Sequence, residues 1–397
     1  MIEYALAIFL GILAGIITGL LPGIHINLVS AFLISGIGVF SGISPIILVI
    51  FIVAMTISHV FFDFLPSIFL GAPDEDSVLS VLPGHELLLK GRGYEAMLLT
   101  LYGGLIGIFL SLAFIPLFIF VFPKIYFYLK FVMFFILVFA NGYLLFREKS
   151  ITALIVFMLS GFLGVITLNL PIQNSLLPLL GGLFGASSLI TSIAKKSDIP
   201  EQKIQQIKIN KKEFLNPLYS SIFSATLCSF LPALGSGQAA TIGSDIIKLN
   251  RREFLILIGI INAVVAGLSF VTLYSIGKAR TGSAVVVQEL LDKLNFSDLA
   301  VIAVVIIISG IIAFSLAFKM SKIFAKFIQK INYQKLSFWT LIFISVIVIA
   351  FSGFIGFLIF LVATFIGLFT IISGVRRTNM MGSLMLPAIL LYLPTSL

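Results

Sequence analysis

No Asp, Glu, Lys or Arg interrupts the 59 residues from Tyr4 to Phe62. Comparable charge-free runs cover Ala96–Pro123, Phe131–Phe146, Ser150–Ala194, Phe214–Ser244, Phe254–Gly277, Leu299–Phe318, Leu336–Val375 and Thr378–Leu397. A spanning helix needs about 20 mostly apolar residues. The pattern therefore predicts roughly ten to thirteen membrane segments, some of them re-entrant. It reads as an all-α polytopic membrane protein.

The longest polar stretch, Lys195–Glu213, falls near the middle of the 397 residues. It divides the chain into an N-terminal transmembrane repeat (1–194), a polar linker (195–213) and a C-terminal transmembrane repeat (214–397). The halves echo each other. A helix with glycines at 11, 15 and 19 runs into LPGIHINLVS at Leu21–Ser30, and a second apolar helix runs into LPALGSGQAATIGS at Leu231–Ser244. The two Leu-Pro pairs stand 210 residues apart. A further polar interruption follows in each half: GAPDEDSVLSVLPG from Gly71 and GKARTGSAVVVQEL from Gly277, which sets Ser77 opposite Ser283 at an offset of 206. The same order of elements at nearly the same offset argues for a duplicated unit.

Pro22 and Pro232 lack an N–H and obstruct the preceding turn, so the helices entering them end or kink there. Broken backbone cannot face lipid, because an unpaired amide there costs several kcal/mol. It must be buried in protein or line a wet cavity, and paired breaks of this kind point to a transporter binding site. Small polar residues follow each break: His25, Asn27 and Ser30 in one half, Ser236, Gln238, Thr241 and Ser244 in the other. Helix starts present free N–H groups and partial positive charge, which suits carboxylates. The competing reading is close helix packing by small residues.

Composition narrows the class. The chain is 60% hydrophobic and only 10% charged, against about 25% charged in soluble domains, which excludes a soluble enzyme and a nucleic-acid-binding domain. The net charge of +9 sits largely in Lys195–Lys212 and Lys319–Lys335; by the excess of Lys and Arg in cytoplasmic loops, both segments are expected on the cytoplasmic side. Cys228 is alone, so no internal disulfide forms. The start, Met1-Ile2-Glu3-Tyr4, lacks the basic region of a cleaved signal, and the first helix is read as retained. Neither a zinc-protease HExxH nor a phosphate-binding Walker motif is present.

Few charges remain as candidates. His59 and Asp63 share a helix face at i, i+4, and an intramembrane carboxylate is a functional hypothesis by default. Asp63 either couples sodium or protons with His59 as neighbour, or lies near the membrane surface before Pro66. Arg280, beside Thr281, either pairs with a carboxylate or only sets topology.

LPGIHINLVSAFL, GAPDEDSVLSVLPGHELLLKGRGYEA, PLLGGLFGASSLI at Pro178–Ile190, LPALGSGQAATIG and the closing RRTNMMGSLMLPAIL at Arg376–Leu390 run through nearly the whole chain. In these motifs the chain resembles the large permease subunit of the tripartite tricarboxylate transporter family. The resemblance implies two repeats of opposite orientation and a secondary transporter that takes up carboxylates on an ion gradient. It implies a small membrane subunit and an extracytoplasmic binding protein as partners. Carried over by motif, the substrate would be lined by Pro22, Gly23, Ile24, His25 and Asn27, by Gly71, Pro73 and Ser77, and by Pro232, Gly235, Ser236, Gly237, Gln238 and the Gly277–Ser283 stretch.

The expectation is a plasma-membrane permease rather than an enzyme. It would move a small organic anion, a di- or tricarboxylate, by alternating access. No cofactor is expected beyond Na+ or H+ as coupling ion. Membrane lipid and a homo-oligomer are compatible partners; nucleic acid is not. Two alternatives stay open: an isoprenoid-phosphate lipid flippase and a non-transporting membrane scaffold.

Overall fold

The computed structural model describes residues 2–21, 42–70, 81–172, 174–194, 199–230, 236–291, 293–328, 330 and 332–393. Among these, seven helices are long and apolar enough to cross a membrane, or eight when the bent pair Phe122–Tyr128 and Val132–Tyr143 counts as one span. Other charge-free runs hold shorter apolar helices, such as Leu176–Thr191 and Gly282–Leu291. Helical structure, the polytopic all-α class, is what the hydrophobic pattern predicts.

Helix α1 (Ile2–Leu20) and α2 (Pro45–Phe62) lie side by side and parallel. Their contact follows from the glycine spacing. A methyl group at Gly11 would strike the backbone of Phe51, one at Gly15 the backbone of Met55, and one at Gly19 the side chain of Phe62. Small residues every fourth position let two backbones approach this closely. Beyond α2 the chain passes Asp63 into a π-helical turn, Pro66–Leu70, then α3 (Val81–Leu89) and α4 (Gly93–Ala113). The short α5 (Ile115–Phe120) leads into α6 (Phe122–Glu148) and α7 (Ile151–Asn169). A broken segment follows: α8 (Leu176–Leu180), a π-helical stretch over Gly181–Ala186, and α9 (Ser187–Ala194).

After the linker, α10 (Lys211–Phe230) precedes α11 (Ser236–Ile246) and α12 (Arg251–Ile276). Asn216 Nδ2 donates to Glu253 Oε1 at 3.1 Å, so the second turn of α10 neighbours the first turn of α12. Helix α12 begins in a capping box, in which Asn250 and Glu253 satisfy each other's backbone N–H groups. It ends at Gly277, whose left-handed backbone (φ 66°) suits glycine. Then come α13 (Gly282–Leu291), α14 (Phe296–Ile328) and α15 (Tyr333–Ile372), the last broken at Gly353. A 3-10 turn, Arg377–Met381, leads into α16 (Gly382–Leu391).

Helices α2 and α12 form the centre, with 72% and 89% of their apolar windows buried. Helix α4 packs along α12: Gly103 faces Ile256, Gly107 faces Ile260, and Gly259 faces Thr100. The register rises together, so α4 and α12 are parallel. Helix α14 packs along α2, with Phe61 edge-on to Phe314 and Phe69 tilted against Phe324, again in parallel. Tyr102 meets Phe314 while Ile108 meets Gly310, which makes α4 and α14 antiparallel. It follows that α2 and α12 run in opposite directions. In a second group of elements, α7 packs on α16 through Gly164, and α15 packs on the Gly181–Ala194 segment through Gly182 and Gly367.

One end of the bundle is fastened by charge. Arg252 at the start of α12 pairs with Glu95 in the first turn of α4 and with Glu213 in the first turn of α10, the latter at 2.9 Å. Glu86 of α3 pairs with Lys90 at 2.8 Å and with Arg251 at 2.7 Å. The linker lies across the same end. Gln202 accepts from the Gly93 N–H at 2.7 Å and donates to the Leu88 carbonyl at 3.0 Å, while the Lys203 N–H donates to the Gly91 carbonyl at 2.8 Å. Because α14 is antiparallel to α4, its lysines at 319, 322 and 326 lie at this end too. The described lysines at 203, 208, 211 and 212 and those at 319, 322 and 326 therefore gather on one side of the bundle.

Candidate functional site

The described site residues form three groups. The first joins α1, α2 and α12. His59 Nδ1 and Thr18 Oγ1 are 3.0 Å apart, and Asn262 Nδ2 donates to Asp63 Oδ2 at 3.2 Å. His59 is 3% exposed and Asp63 1%. Asn262 is the twelfth residue of the 26 in α12, about 17 Å from its start at 1.5 Å per residue. Asp63 thus lies deep in the bundle beside the middle of its most buried helix.

The second group opens α11. Ser236 is buried, and Thr241 donates to the Gly237 carbonyl at 3.0 Å. Gly243 fits against the hydroxyls of Ser220 and Ser224, holding α11 close to α10. Only Gln238's backbone is described. Pro22, Gly23, Ile24, His25, Asn27, Gly71, Pro73, Ser77, Pro232 and Gly235 lie outside the described residues.

The third group follows α12. Thr281 Oγ1 lies 3.0 Å from Ser283 Oγ and accepts from the Ala284 N–H at 3.3 Å, capping α13. Burial pushes the Arg280 guanidinium below its ordinary pKa, partly offset by Cys228 and by the phenols of Tyr126 and Tyr392. Lys278 sits over the Tyr126 ring at 5.3 Å. Since Glu86 pairs with the first residue of α12 and Arg280 follows its last turn, the described flanks of the two polar interruptions lie at opposite ends of α12.

A fourth place lies outside the residues that the sequence singles out. Arg377 Nη1 donates to Ser188 Oγ at 2.7 Å, and burial pushes its guanidinium down to about 10. Close by is His85, whose imidazole is lowered first by burial and then by Arg377, against the raising effect of a hydrogen bond with the Ile68 backbone. A signal existed: Arg376 and Arg377 are the only charges between two long charge-free runs. Among the described residues, no group of three His, Cys, Asp or Glu side chains gathers to hold a metal ion.

Comparison with known proteins agrees with these motifs. The profile of the Tripartite tricarboxylate transporter TctA family matches residues 5–382. The uncharacterized protein MJ1079 of Methanocaldococcus jannaschii is 32% identical over 404 residues, spanning 98% of each chain. No solved structure matches the chain. With nearly its full length inside that profile, from the first glycine-faced helix to the RRTNMM turn, the chain belongs to the tripartite tricarboxylate transporter TctA family.

Proposed function

We propose that this chain is an ion-coupled permease for a di- or tricarboxylate, working by alternating access between two repeats of opposite orientation. It is a multi-pass protein of the cell membrane and a member of a transporter family. The observation that carries the finer reading is the crosswise packing of the two halves. Helix α4 of the first half lies along α12 of the second, and α14 of the second lies along α2 of the first. At the offset of 206 residues, α2 corresponds to α12 and α4 to α14, and each corresponding pair is antiparallel. That arrangement is expected of repeats related by an axis in the membrane plane. The repeats are residues 1–194 and 214–397, joined by the linker 195–213.

In this reading the α11 start and its counterpart after Pro22 hold carboxylate groups, with Ser236, Gly237 and Thr241 lining one side. Asp63, with His59 and Asn262, takes the coupling sodium ion or proton between the halves. The face gathered around Arg252 and the linker is cytoplasmic, in line with its excess of Lys and Arg. A small membrane subunit and an extracytoplasmic binding protein are the partners, as in tripartite systems. The test is uptake of a panel of radiolabelled di- and tricarboxylates into proteoliposomes. Uptake of at least one acid supports the reading. No uptake, together with movement of an isoprenoid phosphate between leaflets, would replace it with a lipid flippase.

A further inference from the structure

Arg377 is a partly buried cation with no acidic partner among the described residues. The exposed Arg376 beside it pairs with Glu148 at 3.1 Å, but Arg377 makes its side-chain hydrogen bond to a neutral hydroxyl. A cation partly withdrawn from water with no counter-charge beside it is free to meet an anion. A guanidinium carries five N–H donors in a flat fork, and Ser188 occupies one of them. The remaining fork matches the two oxygens of a carboxylate.

The setting points to a ligand position. Ser188 donates its own proton back to the Phe184 carbonyl, so its lone pair is fixed toward Arg377. Phe184 belongs to the π-helical stretch Gly181–Ala186, a distortion common at functional sites. The 3-10 turn bearing Arg377 packs against α11, whose start carries Ser236 and Gly237. His85, bonded to Ile68 in the π turn that follows Asp63, is close enough to feel the charge of Arg377. Arg377 is thus carried on a turn against α11 and lies near the first helix beyond the first polar interruption.

We propose that Arg377, oriented by Ser188 and flanked by His85, receives a carboxylate of the transported anion. The substrate class rests on the transport reading above; the anion position itself does not.

The test uses the full chain purified in detergent, with thermal stability read against increasing citrate, succinate or sulfate. Wild type should be stabilised by at least one of these anions. Arg377→Gln should raise the half-saturating concentration about tenfold or more, as expected for loss of a charge-assisted bond. Arg377→Lys keeps the charge without the fork and should weaken binding less; Ser188→Ala should weaken it too. Arg376→Gln should bind as wild type. If Arg377→Gln does not yield a monodisperse protein, the Lys and Ser188→Ala variants decide in its place. Unchanged half-saturation in the variants, or no stabilisation of wild type by any of the three anions, overturns the site. Proteoliposome uptake separates this from the transport reading. Acid uptake that Arg377→Gln retains removes the site and leaves transport standing. Arg377-dependent anion stabilisation in a chain that takes up no acid keeps the site and removes transport.

Discussion

Asn262 in the middle of α12 donates its amide to the carboxylate of Asp63 at the end of α2, linking residues 199 positions apart across the two halves. Both side chains are almost wholly buried. Any sliding of α12 past α2 must stretch or break this contact. In the proposed coupling role, a carboxylate at such an interface would respond to ion occupancy and helix position together. Asp63→Asn removes the charge yet leaves an amide able to bond Asn262. The variant should fold and lose most of its dependence on sodium and pH, measured as uptake rate against each ion. A response equal to wild type would discard the coupling role.

Tight glycine contacts predict a different loss. Gly15→Leu must drive a side chain into the backbone of Met55, and Gly259→Leu into that of Thr100. Both should fail to give stable protein, since overpacking at a backbone contact cannot be relieved by a rotamer change. At Gly142 a Cβ meets nothing within 4 Å. Gly142→Ala should therefore match or exceed wild-type stability, by up to about 1 kcal/mol from helix propensity. Thermal unfolding in detergent distinguishes the three.

The charged end offers a graded comparison. Arg252 is largely buried between Glu95 and Glu213, whereas Arg251 is 62% exposed where it meets Glu86. Removing one partner of a buried network costs about 3–5 kcal/mol, and an exposed pair is worth about 0–1 kcal/mol. Arg252→Ala should lower the unfolding temperature markedly and Arg251→Ala barely. Equal effects would mean that the charges at this end contribute only to topology.

Gln202 predicts a local effect. Its amide ties the linker to Leu88 and Gly93, and Gln202→Ala removes both bonds. Protease should then cut within residues 199–210 faster than in wild type, with the rest of the chain unchanged. Cleavage at the wild-type rate would show that the Lys203–Gly91 backbone bond suffices.

Much of the architecture was legible in the sequence, for a physical reason. Glycines at 11, 15 and 19 fall on one helix face, and that face alone can admit another backbone; the packing of α1 on α2 follows. The charge-free runs likewise mark α12 and α14 directly. Asp63 was only half legible: its i, i+4 relation to His59 is local, but its depth depends on Asn262, which no local pattern reveals. Arg377 was less legible still. Two adjacent arginines between apolar runs look like a topology signal, and only folding separates the exposed one on Glu148 from the partly buried one on Ser188. The breaks at Gly353 and Gly181–Ala186 lie within runs of unbroken hydrophobicity, where hydropathy records composition and not backbone continuity.

Ion-coupled transport shows itself most directly as accumulation. Proteoliposomes holding the wild-type chain should concentrate a di- or tricarboxylate above its external level when an inward sodium or proton gradient is imposed. The accumulated acid should leave when an ionophore dissipates that gradient. Uptake that never exceeds the external concentration under either gradient would contradict ion-coupled transport by this chain.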